Sequence, residues 1–177
     1  MTRAALGHED FARRRRLLLN HMHPGSIAVI PGAAQQRRSN DICFPFRQDS
    51  DFCYLTGFAE PDALLILIPG RTQGESILFC RERDPHLERR DGAILGPDQC
   101  QSELGVDDAF PISDVDEILP GLLEARSQIY MNLGEHTVWD ERVLAWLDEL
   151  VSRRPAVVAT VQQVTALGHL LHEQRLI

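Results

Sequence analysis

The chain has 177 residues, enough for one domain with a real core and too few for two full domains. Hydrophobic residues make up 44% and charged residues 25%, an ordinary globular balance, and the net charge of −8 argues against nucleic acid or an anionic membrane surface as partner. All 18 basic residues are arginine, which excludes a Schiff-base lysine, a phosphate-loop lysine and a serine–lysine dyad.

Residues 1–7 are expected to be loose. From about His8 to Met22, Phe11, Leu18, Leu19 and Met22 recur at helical spacing, with Arg13 to Arg16 read as a mostly solvated face. His23-Pro24-Gly25 stops that helix. Ser26–Ile30 reads as a short buried strand, and residues 33–43 as a polar loop. The stretch Phe44 to Ile68 carries the most information. Arg47, Asp49 and Asp51 crowd charge into five positions, an aromatic run of Phe52, Tyr54 and Phe58 follows, and Ala63–Ile68 is an unbroken apolar run. Such a run between Asp62 and Pro69-Gly70 predicts a strand buried on both faces, at the middle of an α/β sheet.

Glu75–Phe79 is predicted as a third strand, paired with Ala63–Ile68 through the turn-rich Pro69 to Gly74 connection. Cys80 to Asp91 is nearly solid charge without a periodic apolar face, and reads as an exposed excursion. A short helix is expected over 97–103, ending at Gly105. A second, shortened or kinked by Pro120, is expected over 113–124 with Ser113 as its cap. Gln128–Leu133 reads as a strand. Thr137–Ser152 is the clearest helix, with the apolar stripe Trp139, Val143, Trp146, Leu147 and Leu150 and a cap from Thr137 and Asp140. A last strand over 156–160 and a mainly helical 161–176 complete the reading. Strands alternating with helices predict a single α/β domain, a mixed sheet covered by helices on both faces.

The chemistry-bearing residues form no convincing active site on their own. Cys43, Cys53, Cys80 and Cys100 are scattered, with no zinc-ribbon, redox or disulfide spacing. Three leucines after Arg13–Arg16 are too few for a signal peptide, and no apolar run approaches the ~20 residues that cross a bilayer, so a cytoplasmic chain with reduced thiols is expected. His21-x-His23 lacks a carboxylate at ligand spacing. In His169-Leu-Leu-His172-Glu173 the histidines are three apart and the glutamate lies outside them, unlike a zinc-protease helix. Were the segment extended, Asp49 and Asp51 would point the same way as a metal-binding pair. Arg47 shares that parity, and a charge-paired structural cluster of Arg47, Asp49 and Asp51 is favoured.

The run Phe46-Arg47-Gln48-Asp49-Ser50-Asp51-Phe52-x-Tyr54-Leu55-Thr56-Gly57-Phe58-x-Glu60-Pro61 resembles the hallmark of the N-terminal domain of aminopeptidase P, the Xaa-Pro aminopeptidase family. Phe11-x-Arg13-Arg14-Arg15, Pro24-Gly25-Ser26, Leu78-Phe79-x-Arg81-x-Arg83-Asp84, Gly96, Leu104-Gly105-Val106-Asp107 and His172-Glu173-x-Arg175-Leu176 extend the likeness over nearly the whole chain. The resemblance implies a creatinase/prolidase-type N-terminal domain spanning 1–177, with its last helix leading toward a separate catalytic domain. In that family the catalytic domain holds two metal ions, usually manganese, and releases the residue preceding proline. No metal ligand of that domain has a counterpart here, so no catalytic residue and no metal or cofactor is expected in this chain. The implied role is assembling subunits into a homo-oligomer and walling the entrance used by proline-containing peptides. The family's cross-subunit tryptophan would fall at Arg90, within Glu88-Arg89-Arg90-Asp91-Gly92, which makes Arg90 the partner- or substrate-facing candidate. Thr165 to Leu171 is more apolar than the family's approach to the terminal motif. Two further readings are a stand-alone interaction module and an independent hydrolase using the carboxylates of 47–51.

Overall fold

The computed structural model describes residues 7–39, 42–124, 126–153, 163–165, 167–168 and 170–171. Its frame is a six-stranded mixed sheet built from β1 (Ser26–Pro31), β4 (Leu64–Leu67), β5 (Ser76–Cys80), β6 (Asp108–Pro111), β7 (Gln128–Tyr130) and β8 (Gln163–Thr165), in the order β6-β5-β4-β1-β7-β8. A separate hairpin pairs β2 (Arg37–Ser39) with β3 (Ile42–Cys43), where the sequence reads as a loop. These strands are two and three residues long, and β2 is exposed and polar, so no buried alternation marks them.

The apolar run Ala63–Ile68 does form a central strand, and β1, β4 and β5 are buried along their whole length. Side chains alternate between the two faces of each strand. Register therefore lines up Ile30, Leu65 and Leu78 on one face and Val29, Ile66 and Ile77 on the other. Antiparallel pairing of β1 with β4 and of β4 with β5 leaves β5 and β1 running the same way. Outward from β5 lies β6, and outward from β1 lie β7 and then β8, each parallel to its inner neighbor, with crossovers from β5 to β6 and from β7 to β8 reaching opposite edges. Right-handed crossovers toward opposite edges must place their helices on opposite faces.

The helices are α1 (His8–His21), α2 (Ser50–Thr56), α3 (Pro85–Asp91), α4 (Gly96–Leu104), α5 (Val115–Leu123) and α6 (Thr137–Arg153). α1, α2 and α4 cover the first face through Leu18, Leu19, Phe52, Leu55 and Cys100, joined by Leu167 and Leu171. α5 and α6 cover the second through Val115, Leu119, Leu123, Val143 and Trp146. Trp139, Leu147 and Leu150 are partly buried against that second core, so the predicted α6 stripe faces inward. No helix among the described residues is long and apolar enough to cross a membrane.

Several local expectations give way to tertiary structure. The charged excursion contains α3, whose signals are terminal: Asp84 caps it by accepting from His86 N at 2.8 Å, Pro85 starts it and Gly92 ends it. β6 is half-buried throughout and lacks strand alternation, so it went unpredicted. A 3₁₀ turn over Ile112–Asp114 precedes α5, and the Ser113 hydroxyl bonds Asp114 Oδ1 at 3.0 Å rather than capping the helix. β7 stops at Tyr130, short of the expected Leu133. The expected strand at 156–160 lies outside the described residues, while Gln163–Thr165 is a strand within the region read as helix.

Candidate functional site

The signature segment folds as a capped helix, so the period-two alignment of Asp49 with Asp51 does not arise. Asp49 is the N-cap of α2, its Oδ1 accepting from the backbone N–H of Asp51 and Phe52, both at 2.9 Å. Gly57 closes the helix at φ 68°, and a Cβ there would lie 2.5 Å from the Phe11 ring. The residue that ties the segment together is Gln48, which sequence reasoning passed over. Its Oε1 accepts from Ala33 N at 2.7 Å and Asp49 N at 2.9 Å, and its Nε2 donates to Phe58 O at 3.2 Å and Glu60 O at 2.8 Å. Glu60 in turn accepts from Leu95 N at 2.8 Å and pairs with Arg81 at 3.4 Å. Much of the signature thus satisfies backbone groups that burial would otherwise leave unpaired.

The arginine run is also partly structural. Arg15 is buried, 2% exposed, and donates to Leu55 O at 2.9 Å, Leu104 O at 3.0 Å and Gly105 O at 2.5 Å. It joins α1 to the carboxyl ends of α2 and α4, whose last carbonyls have no partner within the helix. Arg14 donates to Tyr54 O at 2.9 Å and lies 4.3 Å above the Tyr54 ring. Burial lowers the Arg15 pKa to about 10, while the charge of Asp107 opposes the shift.

The expected charge cluster of Arg47, Asp49 and Asp51 does not close. Arg47 is exposed, and among the described residues no ion pair joins it to either aspartate. Asp49 Oδ2 faces His136 Nε2 at 3.5 Å, and Asp51 Oδ2 accepts from Asn132 Nδ2 at 3.4 Å. Both partners lie between β7 and α6, in a loop whose first part, through Leu133, reads in the sequence as strand. Asn132 also donates to Glu135 Oε2 at 3.1 Å and accepts from Gly168 N at 2.9 Å, so one loop holds the start of α2 and the C-terminal segment. The backbone N–H groups of Trp139 and Asp140 bond His136 O, and Asp140 Oδ2 accepts from Gly134 N at 2.8 Å.

Electrostatics follow from this geometry. The hydrogen bond to Asp49 raises the His136 pKa against the effect of burial, and the charges of Asp49, Glu135 and Asp140 raise it further. Partial burial pushes the Asp49 carboxyl up, but His136 and the two capping N–H groups outweigh it and hold the pKa below the usual value. Asp49, Glu135 and His136 each offer one ligand atom, all within 4.8 Å of one another.

Other candidates are placed apart. Arg90 falls on α3, with its side chain outside the described residues, as are His169, His172 and Glu173. Cys80 and Cys100, distant in sequence, meet with their sulfurs 3.6 Å apart in the first core and remain thiols. An open groove of about 460 Å³ lies between Arg81–Pro85 and Ile112–Ser113, at the carboxyl ends of β5 and β6.

A doubly covered mixed sheet with a capped signature helix over its center defines an N-terminal domain of the aminopeptidase P type. The family described as "Aminopeptidase P, N-terminal domain" matches residues 11–130, and the chain belongs to it. Among curated relatives it is 35% identical to the Xaa-Pro aminopeptidase of Haemophilus influenzae, over 94% of this chain and 43% of that protein. It is 40% identical to the Xaa-Pro aminopeptidase of Escherichia coli, over 82% of this chain and 33% of that protein. Among solved structures, Pseudomonas aeruginosa aminopeptidase PepP superposes with a TM-score of 0.92 at 46% identity, covering 98% of this chain and 39% of the other. The chain therefore spans less than half the length of each of these relatives.

The two-metal center that the resemblance places in the family's separate catalytic domain does not fit the one donor cluster among the described residues. A two-ion site needs carboxylates shared between metals roughly 3.5–4 Å apart. Asp49, Glu135 and His136 surround a single point, and one oxygen of Asp49 already accepts two backbone N–H groups.

Proposed function

We propose that this domain is the non-catalytic N-terminal part of a manganese-dependent Xaa-Pro aminopeptidase acting in the cytoplasm. In this reading it joins subunits into a homo-oligomer and shapes the entrance through which peptides with proline second reach the enzyme's own catalytic domain. The observation that carries the reading is the match to PepP, which takes in 98% of this chain but 39% of that enzyme. Within the domain, the signature residues Gln48, Asp49 and Glu60 are engaged with backbone groups rather than offered to a substrate.

The test is to incubate the purified chain with manganese and an Xaa-Pro peptide, and to measure its mass by light scattering. No turnover above the blank, with self-association, is the expected result. Turnover abolished by Asp49→Asn in a folded protein would place chemistry in this domain and overturn the proposal. A strictly monomeric chain that also fails to associate with a full-length Xaa-Pro aminopeptidase would overturn the assembly role.

A further inference from the structure

We propose that Asp49, Glu135 and His136 bind one divalent transition-metal ion, with Zn2+ the best match, at the junction of α2 and α6. The donor set is an imidazole and two carboxylates whose ligand atoms all lie within 4.8 Å of one another. Nitrogen and oxygen donors of this kind suit Zn2+, which takes three protein ligands and leaves a position for water. Asp49 Oδ2 and His136 Nε2 are 3.5 Å apart. Two ligands on a tetrahedral ion with bonds of about 2.0–2.2 Å are separated by roughly 3.3–3.6 Å, a spacing this pair already has. Glu135, which is exposed, supplies the third ligand atom.

Two of the donors are steadied by outer hydrogen bonds, as metal ligands commonly are. The backbone of Asp51 and Phe52 holds Asp49 Oδ1, turning Oδ2 toward His136. Asn132, anchored on Gly168 N, holds Glu135 Oε2 and leaves the other carboxylate oxygen available. Nearby, Asp140 Oδ1 is buried with no hydrogen-bond partner among the described residues, and the Asp140 charge acts on His136. A cation at this point would offset negative charge that the loop has gathered.

Calorimetric titration of the chain with zinc chloride near neutral pH is expected to show one saturable site of micromolar Kd. Cobalt chloride should give the visible absorption of a low-coordinate ion. His136→Ala and Glu135→Gln should each weaken zinc binding about tenfold or more, with the circular dichroism unchanged. Glu135 is exposed, so its substitution decides the matter should His136→Ala unfold. Absence of saturable binding, or binding that survives Glu135→Gln unchanged as it would at His21 or His23, overturns the proposal.

Discussion

Arg15 offers the sharpest test of how the first face is held together. It is 2% exposed, and its guanidinium meets three carbonyls at the ends of two helices. Hydrogen bonds to a charged group contribute about 1.5–3 kcal/mol each, so three would give roughly 4.5–9 kcal/mol. Dehydrating the guanidinium offsets several kcal/mol of that, and the fall of its pKa to about 10 reports the same burial. Arg15→Met fills a similar volume but leaves the three carbonyls without their donor. The expected loss is about 3–5 kcal/mol, the range for breaking one side of a buried charged network. Arg15→Lys keeps the charge but loses the planar fork, and should recover part of the loss. Urea unfolding followed by circular dichroism measures both variants. A loss below about 1 kcal/mol for Arg15→Met, or full stability in Arg15→Lys, would refute the clamp, since neither suits three buried bonds.

Other perturbations test separate parts of the structure. Gly57→Ala forces a Cβ to 2.5 Å from the Phe11 ring at φ 68°. It should cost about 2 kcal/mol or more in thermal unfolding, with part of the loss recovered by Phe11→Ala in a double-mutant cycle. Asp49→Ala should destabilize by about 1 kcal/mol through loss of the cap, and Asp49→Asn by distinctly less because it keeps the capping oxygen; equal losses in urea titrations would show that the cap is not what matters. Partial burial raises the Asp107 pKa, but bonds from the Ser76 hydroxyl and the N–H groups of Ser76 and Glu75 outweigh it and hold the pKa low. Its stabilization is therefore present above the ordinary aspartate pKa and fades as pH falls through the lowered value. Asp107→Asn should flatten that acid limb of the stability–pH curve. The Cys80 contact, followed by burial, pushes the Cys100 thiol upward, whereas Cys43 and Cys53 are exposed. A disulfide reagent should label two thiols quickly in the native protein and four after unfolding; four fast thiols would contradict the packing.

Sequence alone determined the features that depend on local periodicity and on unusual residue combinations. β1 and β4 are legible because continuous apolar runs between turn residues suit strands covered on both faces. α6 is legible because its stripe repeats over about three turns, and the family is legible because the Phe46–Pro61 run is long and distinctive. α3 was missed because its signals lie only at its ends, in Asp84-Pro85 and Gly92. β6 and β8 escaped because edge strands owe their form to neighboring backbone more than to their own pattern. The tertiary structure alone decided which charges meet. It buries Arg15 beneath two helix ends, joins Cys80 to Cys100, and gives Asp49 to His136 rather than to Arg47 nearby. Spacing along the chain predicts neighbors only while the backbone repeats. Once Ser50 begins a helix and β7 lies parallel to β1, the polar partner of Asp49 is set by sheet order, which no local pattern encodes.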